Sequence, residues 1–277
     1  MSDPVVELAP AKLNLALHVR GRRADGYHDL ETLFAFARDG DVLTVVPAER
    51  WSLTIVGPFA AGLSSGGDNL ITRAAQAFAA RFGGGDAFAV TLDKRLPVAS
   101  GIGGGSADAA ALLRVLARLR GVAADEPALF ACAAGLGADV PACVLGRSAI
   151  GRGIGDALVE LPGLEDMPVL LVNPRVAVST GRVFAAWDGI DRGALPSGDA
   201  AAIACAGRND LQTPALATAP VIAAVLAALT GPATLVRMSG SGATCFALYD
   251  DIATRDAATA AIAAARPDWW MLTTTLA

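Results

Sequence analysis

The middle of the chain contains a glycine-rich run with the composition of an anion-binding loop. Val98 to Leu113 reads VASGIGGGSADAAALL, so the glycines between Gly101 and Gly105 lead directly into alanines and leucines. Glycine allows a backbone to approach a ligand closely, and the first amides of a helix have no partners within it. The run therefore predicts a phosphate-binding loop, with a tight turn and close helix packing as the alternative.

Two familiar phosphate-binding motifs do not fit this run. No Lys-Ser or Lys-Thr pair follows the glycines, as a Walker loop requires, and GIGGGS lacks the final glycine of G-x-G-x-x-G. Ser106 adds a hydroxyl group at the start of the helix, where it either caps the helix or contacts a phosphate group or its metal ion. Neither a P-loop nor a plain dinucleotide fold is therefore expected.

Two ionisable residues have the right chemistry for phosphoryl transfer. Lys12 interrupts the apolar run LAPAKLNLAL, and lysines are seldom buried without a partner. Asp139, in LGADVP, is either a helix or turn cap or a proton acceptor. An aspartate beside an acceptor hydroxyl can take its proton, and a lysine can hold both that aspartate and the γ-phosphate.

A third candidate combines an aromatic ring with an imidazole. Tyr27 and His28 follow the turn signal Asp25-Gly26, so they either begin an ordinary strand or form a ligand contact. A tyrosine ring can stack on a pyrimidine, and an imidazole can form hydrogen bonds with the edge of that base.

The elements that must position these residues in the first half of the chain alternate between strands and helices. The pattern of apolar and polar residues predicts three strands, at Leu43–Val46, Ser52–Val56 and Ala87–Leu92. A helix is predicted at Ile71–Phe82, ending at Gly83–Gly85. A second helix follows the glycine run and ends at Gly121; Leu112, Leu116 and Leu119 share its buried face, whereas Arg114 and Arg118 face away.

The second half of the chain has a different pattern. A buried strand at Pro168–Pro174 precedes a loop or irregular cover around Gly189–Gly207. Helical patterns follow, which Pro214 and Pro220 interrupt, and then the strands TLVRM and TCFALY, joined by a glycine turn. A helix at Ala253–Ala265 and the strand WWMLTTTL complete the chain. This order predicts an α+β domain with an antiparallel sheet.

Composition and charge argue against several classes of protein. The net charge is −5 and the largest basic cluster is Arg20–Arg23, so we expect no nucleic-acid partner. No window of about 18 apolar residues predicts a membrane span, and the polar N-terminus lacks a secretory signal, so we expect a cytoplasmic protein. His18 and His28 lack zinc-binding neighbours. The cysteines, which form no C-x-x-C pair and are expected to be reduced core residues, are Cys132, Cys143, Cys205 and Cys245.

The wider glycine run resembles the second motif of the GHMP small-molecule kinases. Leu96 to Ala110 closely fits that family's P-x-x-x-G-[LI]-G-G-G-S pattern. PAKLNL, from Pro10 to Leu15, and RRADGYH, from Arg22 to His28, resemble the branch of the family that phosphorylates 4-diphosphocytidyl-2-C-methylerythritol. Further matches to this branch are Gly137–Pro141, Ser179-Thr180 before Val183-Phe184, Asn209–Leu211 and Ser239–Ala243.

The resemblance implies an ATP-dependent kinase of the non-mevalonate isoprenoid precursor pathway, which phosphorylates the 2-hydroxyl of its substrate. Its fold would be α+β in two domains: residues 1–160 similar to ribosomal protein S5 domain 2, and residues 161–277 ferredoxin-like. ATP and Mg²⁺ would be the cofactors, and the partner would be a small molecule that carries a cytidine diphosphate.

The resemblance also implies roles for individual residues. Lys12 and Asp139 would be the catalytic pair. Tyr27 and His28 would hold the cytosine, whereas Asn14 and Thr180 would line the sugar-alcohol end. The loop around the ATP phosphates would comprise Pro97, Val98, Ala99, Ser100, Gly101, Ile102, Gly103, Gly104, Gly105, Ser106 and Ala107. Ser239–Gly242 would lie beside the substrate, and no acidic residue is assigned to Mg²⁺.

Two other hypotheses stay open. The chain departs from this branch at Cys143, where an aromatic residue is frequent, and at Asp156, where glutamate is usual; Ala185–Gly207 has no match in it. A sister kinase for homoserine, mevalonate or galactose is the second hypothesis, although GRRADGYH favours the cytidyl branch. A non-catalytic nucleotide-binding protein is the third, and the presence of both Lys12 and Asp139 argues against it. The oligomeric state does not follow from the sequence.

Overall fold

The structure is a computed structural model that describes residues 3–84 and 87–277; Gly85 of the predicted glycine stop lies outside them. The chain separates into two compact units that interleave along the sequence. The first unit comprises Met1–Ala11, Asp39–Val98 and Gly103–Gly146, and the second comprises Lys12–Arg38, Ala99–Ile102 and Arg147–Ala277. Because the units interleave, the predicted domain boundary at residue 160 stays a prediction.

Two long strands, β1 (Val5–Arg22) and β2 (His28–Ala48), pair with each other and contribute to both units. In the first unit, the end of β2 pairs antiparallel with β4 (Ala87–Asp93), and β3 (Ser52–Val56) pairs parallel with β4. These strands confirm the three predicted ones, although β2 is much longer than its prediction. In the second unit, the start of β2 pairs with β5 (Ala149–Gly153), which also pairs with β6 (Ala157–Glu160).

The helices of the first unit pack around α2, the helix that follows the glycine run. They are α1 (Leu70–Phe82), α2 (Gly104–Arg120), α3 (Pro127–Ala134) and α4 (Val140–Leu145). Asn69 caps α1, since its side chain accepts a hydrogen bond from the amide of Ile71 at 2.9 Å. The bounds of α1 and the end of α2 at Gly121 confirm the sequence prediction.

The predicted faces of α2 are partly wrong. Leu112 and Leu116 are buried as expected, but Leu119 is 48% exposed. Arg114 does not face away: its Nε donates to Glu7 Oε1 at 2.7 Å and its Nη1 donates to the carbonyl oxygen of Cys143 at 2.6 Å. A guanidinium group can lie inside because it finds a carboxylate and a carbonyl there, which helical periodicity alone does not reveal.

The second unit contains the predicted antiparallel sheet, with strand order β10-β7-β9-β8. Its strands are β7 (Pro168–Asn173), β8 (Leu235–Met238), β9 (Cys245–Leu248) and β10 (Trp270–Thr275). Its helices are α5 (Thr180–Ala185), α6 (Ala200–Ala206), α7 (Gln212–Thr218), α8 (Val221–Leu229) and α9 (Ile252–Ala265). The core of this unit includes Leu170, Val172, Trp187, Ile222 and Tyr249.

Three sequence predictions for these elements are wrong in part. Helix α6 lies within the segment predicted as a loop, where Asp199 caps it by accepting from the amide of Ala202 at 2.8 Å. Pro214 lies in the first turn of α7 and does not break it, because the first amides of a helix need no helical acceptor. Cys205 is exposed and Cys132 is half-buried, so neither is a core residue.

No helix in the described ranges is both long and apolar enough to cross a membrane.

Candidate active site

Lys12 is buried in strand β1 of the second unit, where its ammonium group has a defined polar neighbour. Its Nζ donates to Asn14 Oδ1 at 2.8 Å and lies 5.6 Å from the centroid of the Phe34 ring. Its backbone amide donates to the carbonyl oxygen of Ile102 at 2.9 Å. The strand that carries Lys12 is therefore bonded directly to the glycine run.

Asn14 links this lysine to two further elements of the second unit. Its Nδ2 donates to Thr32 Oγ1 at 2.8 Å, and that hydroxyl donates to the carbonyl oxygen of Ala16 at 2.7 Å. Its backbone amide donates to Ser239 Oγ at 3.1 Å. Because Thr32 accepts from the amide nitrogen of Asn14, the carbonyl oxygen of that side chain is directed at Lys12.

The turn between β8 and β9, Ser239–Gly242, packs closely against the glycine run. Ser239 Oγ donates to the carbonyl oxygen of Gly101 at 3.0 Å, and the amide of Thr244 donates to that of Ser100 at 3.0 Å. Gly101 has φ +80°, and a Cβ atom added there would lie 2.4 Å from the Ser239 carbonyl oxygen. Only glycine fits at this position. Asn209 holds the same turn, since its Nδ2 donates to the Met238 and Gly240 carbonyl oxygens, each at 2.8 Å.

Thr180 lies beside the same turn, as the first residue of α5. Its Oγ1 is 2.9 Å from Ser241 Oγ, and either hydroxyl can donate. Ser179 caps the helix by accepting from the amide of Arg182, which leaves the Thr180 hydroxyl to Ser241. Lys12 and Asn14, from one stretch of sequence, and Thr180, from another, are thus connected through one glycine turn.

The His28 ring packs against two aromatic residues at and just beyond the end of α5. The His28 ring lies 5.0 Å from the Phe184 ring and 5.7 Å from the Trp187 ring, between centroids, whereas Tyr27 is 57% exposed. Burial, together with the charge of Arg22, lowers the pKa of His28, so its imidazole is neutral at pH 7. Sequence reasoning missed Trp187, because it lies in a segment without a recognisable motif.

In the first unit, the N-terminus of α2 presents backbone amides without a side-chain cap. Gly103, with φ +68°, occupies the N-cap position, so Ser106 is the third residue of the helix and not its cap. No acidic residue lies in the first turn. The amides of Gly104, Gly105 and Ser106, at the positive end of the helix dipole, therefore fit a phosphate group.

Asp139 occupies the N-cap position of α4 in the first unit, as its local sequence allowed. Its side chain makes no capping hydrogen bond to the helix and is half-buried. Its backbone carbonyl accepts from the amide of Cys143 at 3.1 Å, which begins the helix. The carboxylate is therefore not needed to cap α4, and its catalytic role stays a prediction.

A buried cluster of charges in the first unit was not found from the sequence. Lys94 Nζ lies 2.5 Å from Asp41 Oδ2 and 2.7 Å from Asp108 Oδ2. Burial raises the pKa of Asp108 to about 7. Burial by itself would lower the pKa of Lys94, but the charges of Asp108 and Asp41 outweigh it and raise that pKa. In the sequence, DKR at residues 93–95 resembles an ordinary solvated turn, and nothing indicates that its lysine is buried.

The described residues do not form a metal site made of protein ligands alone. Within residues 3–84 and 87–277, no three or more His, Cys, Asp or Glu side chains lie close enough together to hold one. Mg²⁺ bound with a nucleotide keeps several waters and is held through phosphates and one or two carboxylates. The donor groups present are therefore compatible with a Mg²⁺ ion that arrives with ATP.

The segment between α5 and α7, for which no motif was recognised in the sequence, is hydrogen-bonded to β1 and β2 in the second unit. Arg20 Nε donates to Asp191 Oδ1 at 2.9 Å, and the amide of Leu195 donates to Glu31 Oε2 at 2.7 Å. His18 is fully buried: its Nδ1 donates to the carbonyl oxygen of Gly193 at 3.0 Å, and its Nε2 accepts from the amide of Arg208 at 3.2 Å. This pattern requires a neutral imidazole with its proton on Nδ1.

We expect His18 to make folding sensitive to acid. Burial lowers its pKa below the ordinary 6.5, so protonation favours the unfolded chain. The free energy of unfolding, measured by urea titration, should decline as the pH falls below about 6.5. His18→Gln should lose part of this pH dependence, and His28→Gln, which removes a half-buried imidazole whose pKa is also lowered, is the comparison and should have the smaller effect. An unchanged pH dependence in His18→Gln would contradict the prediction.

Comparison with known protein families matches each half of the chain to a domain of the GHMP kinases. The GHMP kinases N terminal domain matches residues 69–147, and the GHMP kinases C terminal domain matches residues 193–268. These ranges contain the N-terminus of α2, Asp139, Asn209 and the Ser239–Gly242 turn. Lys12 and the Tyr27-His28 pair lie before the first match.

Several relatives match nearly the whole chain. A 4-diphosphocytidyl-2-C-methyl-D-erythritol kinase of Rhizorhabdus wittichii is 56% identical over 276 residues, which cover 98% of this chain and 94% of the relative. A kinase of the same name from Novosphingobium aromaticivorans is 54% identical and covers 96% of this chain and 90% of the relative. A crystal structure of a 4-(cytidine 5'-diphospho)-2C-methyl-D-erythritol kinase superposes with a TM-score of 0.82 at 36% identity, covering 98% of this chain and 99% of the other.

Proposed function

We propose that this chain, which belongs to the 4-diphosphocytidyl-2-C-methyl-D-erythritol kinase family of GHMP kinases, uses Lys12 and Asp139 to transfer the γ-phosphoryl group of ATP to the substrate's 2-hydroxyl. The observation that carries the proposal is the 56% identity to a kinase of this name over 98% of the chain. The compared region covers 98% of the chain and so extends over the N-terminal run with Lys12, Tyr27 and His28, whose pattern resembles this branch more than other GHMP kinases.

The chemistry follows from the two candidate catalytic side chains. Asp139 would accept the proton of the 2-hydroxyl as that oxygen attacks the γ-phosphorus. Lys12 would stabilise the negative charge that develops on the transferred group. The Asn14–Thr32 hydrogen bond supports this role, because it directs the Asn14 oxygen at Lys12 Nζ and limits the positions the ammonium can take.

The ATP phosphates would bind at the glycine run. The uncapped N-terminus of α2 supports this assignment, as does the absence of acidic residues from its first turn. Mg²⁺ would be held mainly by the phosphates and water, and would screen their charge.

The cytidine end would bind at Tyr27 and His28. A neutral His28 imidazole can form a hydrogen bond with the edge of a cytosine, and the exposed Tyr27 ring is available for stacking. Thr180 and Asn14, which the Ser239–Gly242 turn connects, would line the sugar-alcohol end of the substrate.

Coupled ADP release tests the proposed function. In the presence of Mg²⁺, the protein should release ADP from ATP when 4-diphosphocytidyl-2-C-methyl-D-erythritol is the acceptor. It should not do so with homoserine, mevalonate or galactose. Turnover of one of these simple alcohols with comparable kcat/KM would favour a sister kinase instead. ATP binding by the folded protein without ADP release from any alcohol would favour a non-catalytic nucleotide-binding protein.

Removing the Tyr27 ring should weaken binding of the cytidyl substrate specifically. Loss of one base-aromatic stack is worth about 1–3 kcal/mol, so Tyr27→Ala should raise KM for that substrate by roughly 5-fold to 150-fold. KM for ATP should not change, and Tyr27→Phe, which keeps the ring, should behave like wild type. Equal increases of both KM values would argue against a cytosine contact.

A further inference from the structure

The buried cluster of Lys94, Asp41 and Asp108 lies against the first turn of α2 within the first unit. Each of the three residues is at most 4% exposed. A Cβ atom added to Gly104, the first residue of α2, would lie 3.0 Å from Lys94 Nζ and 3.7 Å from Asp41 Oδ2. Asp108 lies one turn further along the same helix. The cluster is therefore next to the uncapped amides described above.

The two carboxylates of the cluster are not equivalent. Asp41 Oδ1 accepts from the amides of Arg95 and Leu96, at 2.6 and 2.8 Å, and its Oδ2 accepts from Lys94. Asp108 accepts from Lys94 through Oδ2, whereas its Oδ1 is buried without a hydrogen-bond partner among the described residues. Both oxygens of Asp41 accept hydrogen bonds, whereas the unpartnered oxygen of Asp108 disfavours the ionised form of that carboxyl. Asp108 is therefore the group of this cluster that can change its charge.

Asp41 and Lys94 are the charged groups that control the ionisation of Asp108, because the helices packed around it contribute no buried charge. Helices α1, α3 and α4 pack against α2. Their sequences contribute only Arg73 and Arg81, both exposed, as charged residues. The negative charge of Asp41 acts in the same direction as burial, and the charge of Lys94 opposes both, so the carboxyl of Asp108 titrates near neutral pH.

We propose that Asp108 takes up a proton when ATP binds at the N-terminus of α2, and that Lys94 and Asp108 are positioning residues for the nucleotide phosphates. The inference rests on the proposed function, since it requires that the glycine run binds ATP. With both carboxylates ionised, the cluster has a net charge of −1 beside the site where the phosphates would lie. Asp108 is only about 6 Å along the helix axis from Gly104, so the phosphates would disfavour its ionised form.

The proton balance of this step is simple. A proton from solvent adds to Oδ1 of Asp108, and no bond to the nucleotide is made or broken. Lys94 then remains a cation opposite one ionised carboxylate, that of Asp41, and the cluster becomes neutral. Its ammonium group, beside Gly104, no longer has an excess of negative charge around it.

Calorimetric titration of ATP and Mg²⁺ into the protein without the alcohol substrate tests the inference. At pH 8 the enthalpies in Tris and in HEPES give the number of protons taken up, because the two buffers differ in ionisation enthalpy. In the protein without ATP, Asp108 is mostly ionised at pH 8. Wild type should therefore take up close to one proton more per ATP bound than Asp108→Asn. Asp125→Asn, an exposed aspartate of the same unit, is the matched control and should behave like wild type.

The pH dependence of ATP affinity gives a second measurement. Between pH 7.5 and 8.5 the Kd of wild type should rise by about fivefold to tenfold, and that of Asp108→Asn should stay nearly constant. At pH 6 the proton uptake of wild type should disappear, because Asp108 is already protonated; this measurement decides the question even if Asp108→Asn does not fold. Equal uptake in wild type and folded Asp108→Asn would overturn the inference and leave the proposed function intact. Absence of ATP binding by folded wild type would overturn both.

Discussion

Replacing Asp139 with asparagine is expected to lower kcat by about 10²-fold to 10⁴-fold, the usual contribution of a general base. Asparagine has nearly the same shape and cannot accept the proton of the substrate hydroxyl. Asp139 makes no capping hydrogen bond to α4, and asparagine is itself a good N-cap residue, so stability should change by no more than about 0.5 kcal/mol. The readouts are coupled ADP release and the midpoint of urea unfolding.

The matched control for this substitution is another aspartate at a helix N-cap. Asp199 caps α6 through its side chain, and nothing assigns it to the reaction, so Asp199→Asn should keep wild-type kcat. Lys12→Met, which keeps most of the side-chain volume, should lower kcat by about 10²-fold or more through lost charge stabilisation. A kcat of Asp139→Asn within threefold of wild type would exclude the proposed base.

Replacing Gly101 with alanine is expected to have the largest effect on stability, about 2–5 kcal/mol of unfolding free energy. The added Cβ would lie 2.4 Å from the Ser239 carbonyl oxygen and 2.8 Å from both the nitrogen and the oxygen of Gly242, all backbone atoms that cannot rotate away. Overpacking typically costs about 1–3 kcal/mol, and a left-handed backbone conformation adds about 1–2 kcal/mol for alanine.

The same change should also reduce activity, because the turn that contacts Gly101 connects Asn14 to Thr180. Gly105→Ala is the matched control within the same run. Its Cβ would lie 3.5 Å from Leu70 Cδ1, an ordinary contact, and alanine is favoured over glycine in a helix by up to about 1 kcal/mol. Equal urea midpoints for Gly101→Ala and wild type would show that the turn and the glycine run are not packed as described.

Several local features could be predicted from the sequence because they depend on near neighbours along the chain. Helix α1 begins beside Asn69, and α2 ends at Gly121, since an N-cap side chain and a left-handed glycine act within one turn. Apolar alternation predicted β3, β4 and part of β2, although β5 and β6 were not predicted. The glycines of Ser239–Gly242 predicted the turn between β8 and β9. The burial of Lys12 follows from its position inside an apolar strand.

The positions of charged and aromatic side chains depended instead on distant residues. Asp41 in β2, Lys94 just after β4 and Asp108 in α2 are separated by 53 and 14 positions, and only folding brings them together as one cluster. Arg114 was predicted to face solvent, but its guanidinium group forms a hydrogen bond with Glu7, which is 107 positions away in the sequence. Trp187 reaches the His28 ring from a segment without a motif.

The sequence by itself therefore determined the family and many of the elements, and it supplied the hypothesis that Lys12 and Asp139 are the catalytic pair, because motifs and periodicity are local properties of the chain. The tertiary structure alone decided which ionisable groups are buried and what they face. Such burial is stable only when a partner of opposite charge or a hydrogen bond compensates the lost hydration, and that partner is brought close by folding. The Asp108 carboxyl is the clearest case: no pattern around residue 108 distinguishes it from a solvated helix residue, yet its neighbours shift its titration to near neutral pH.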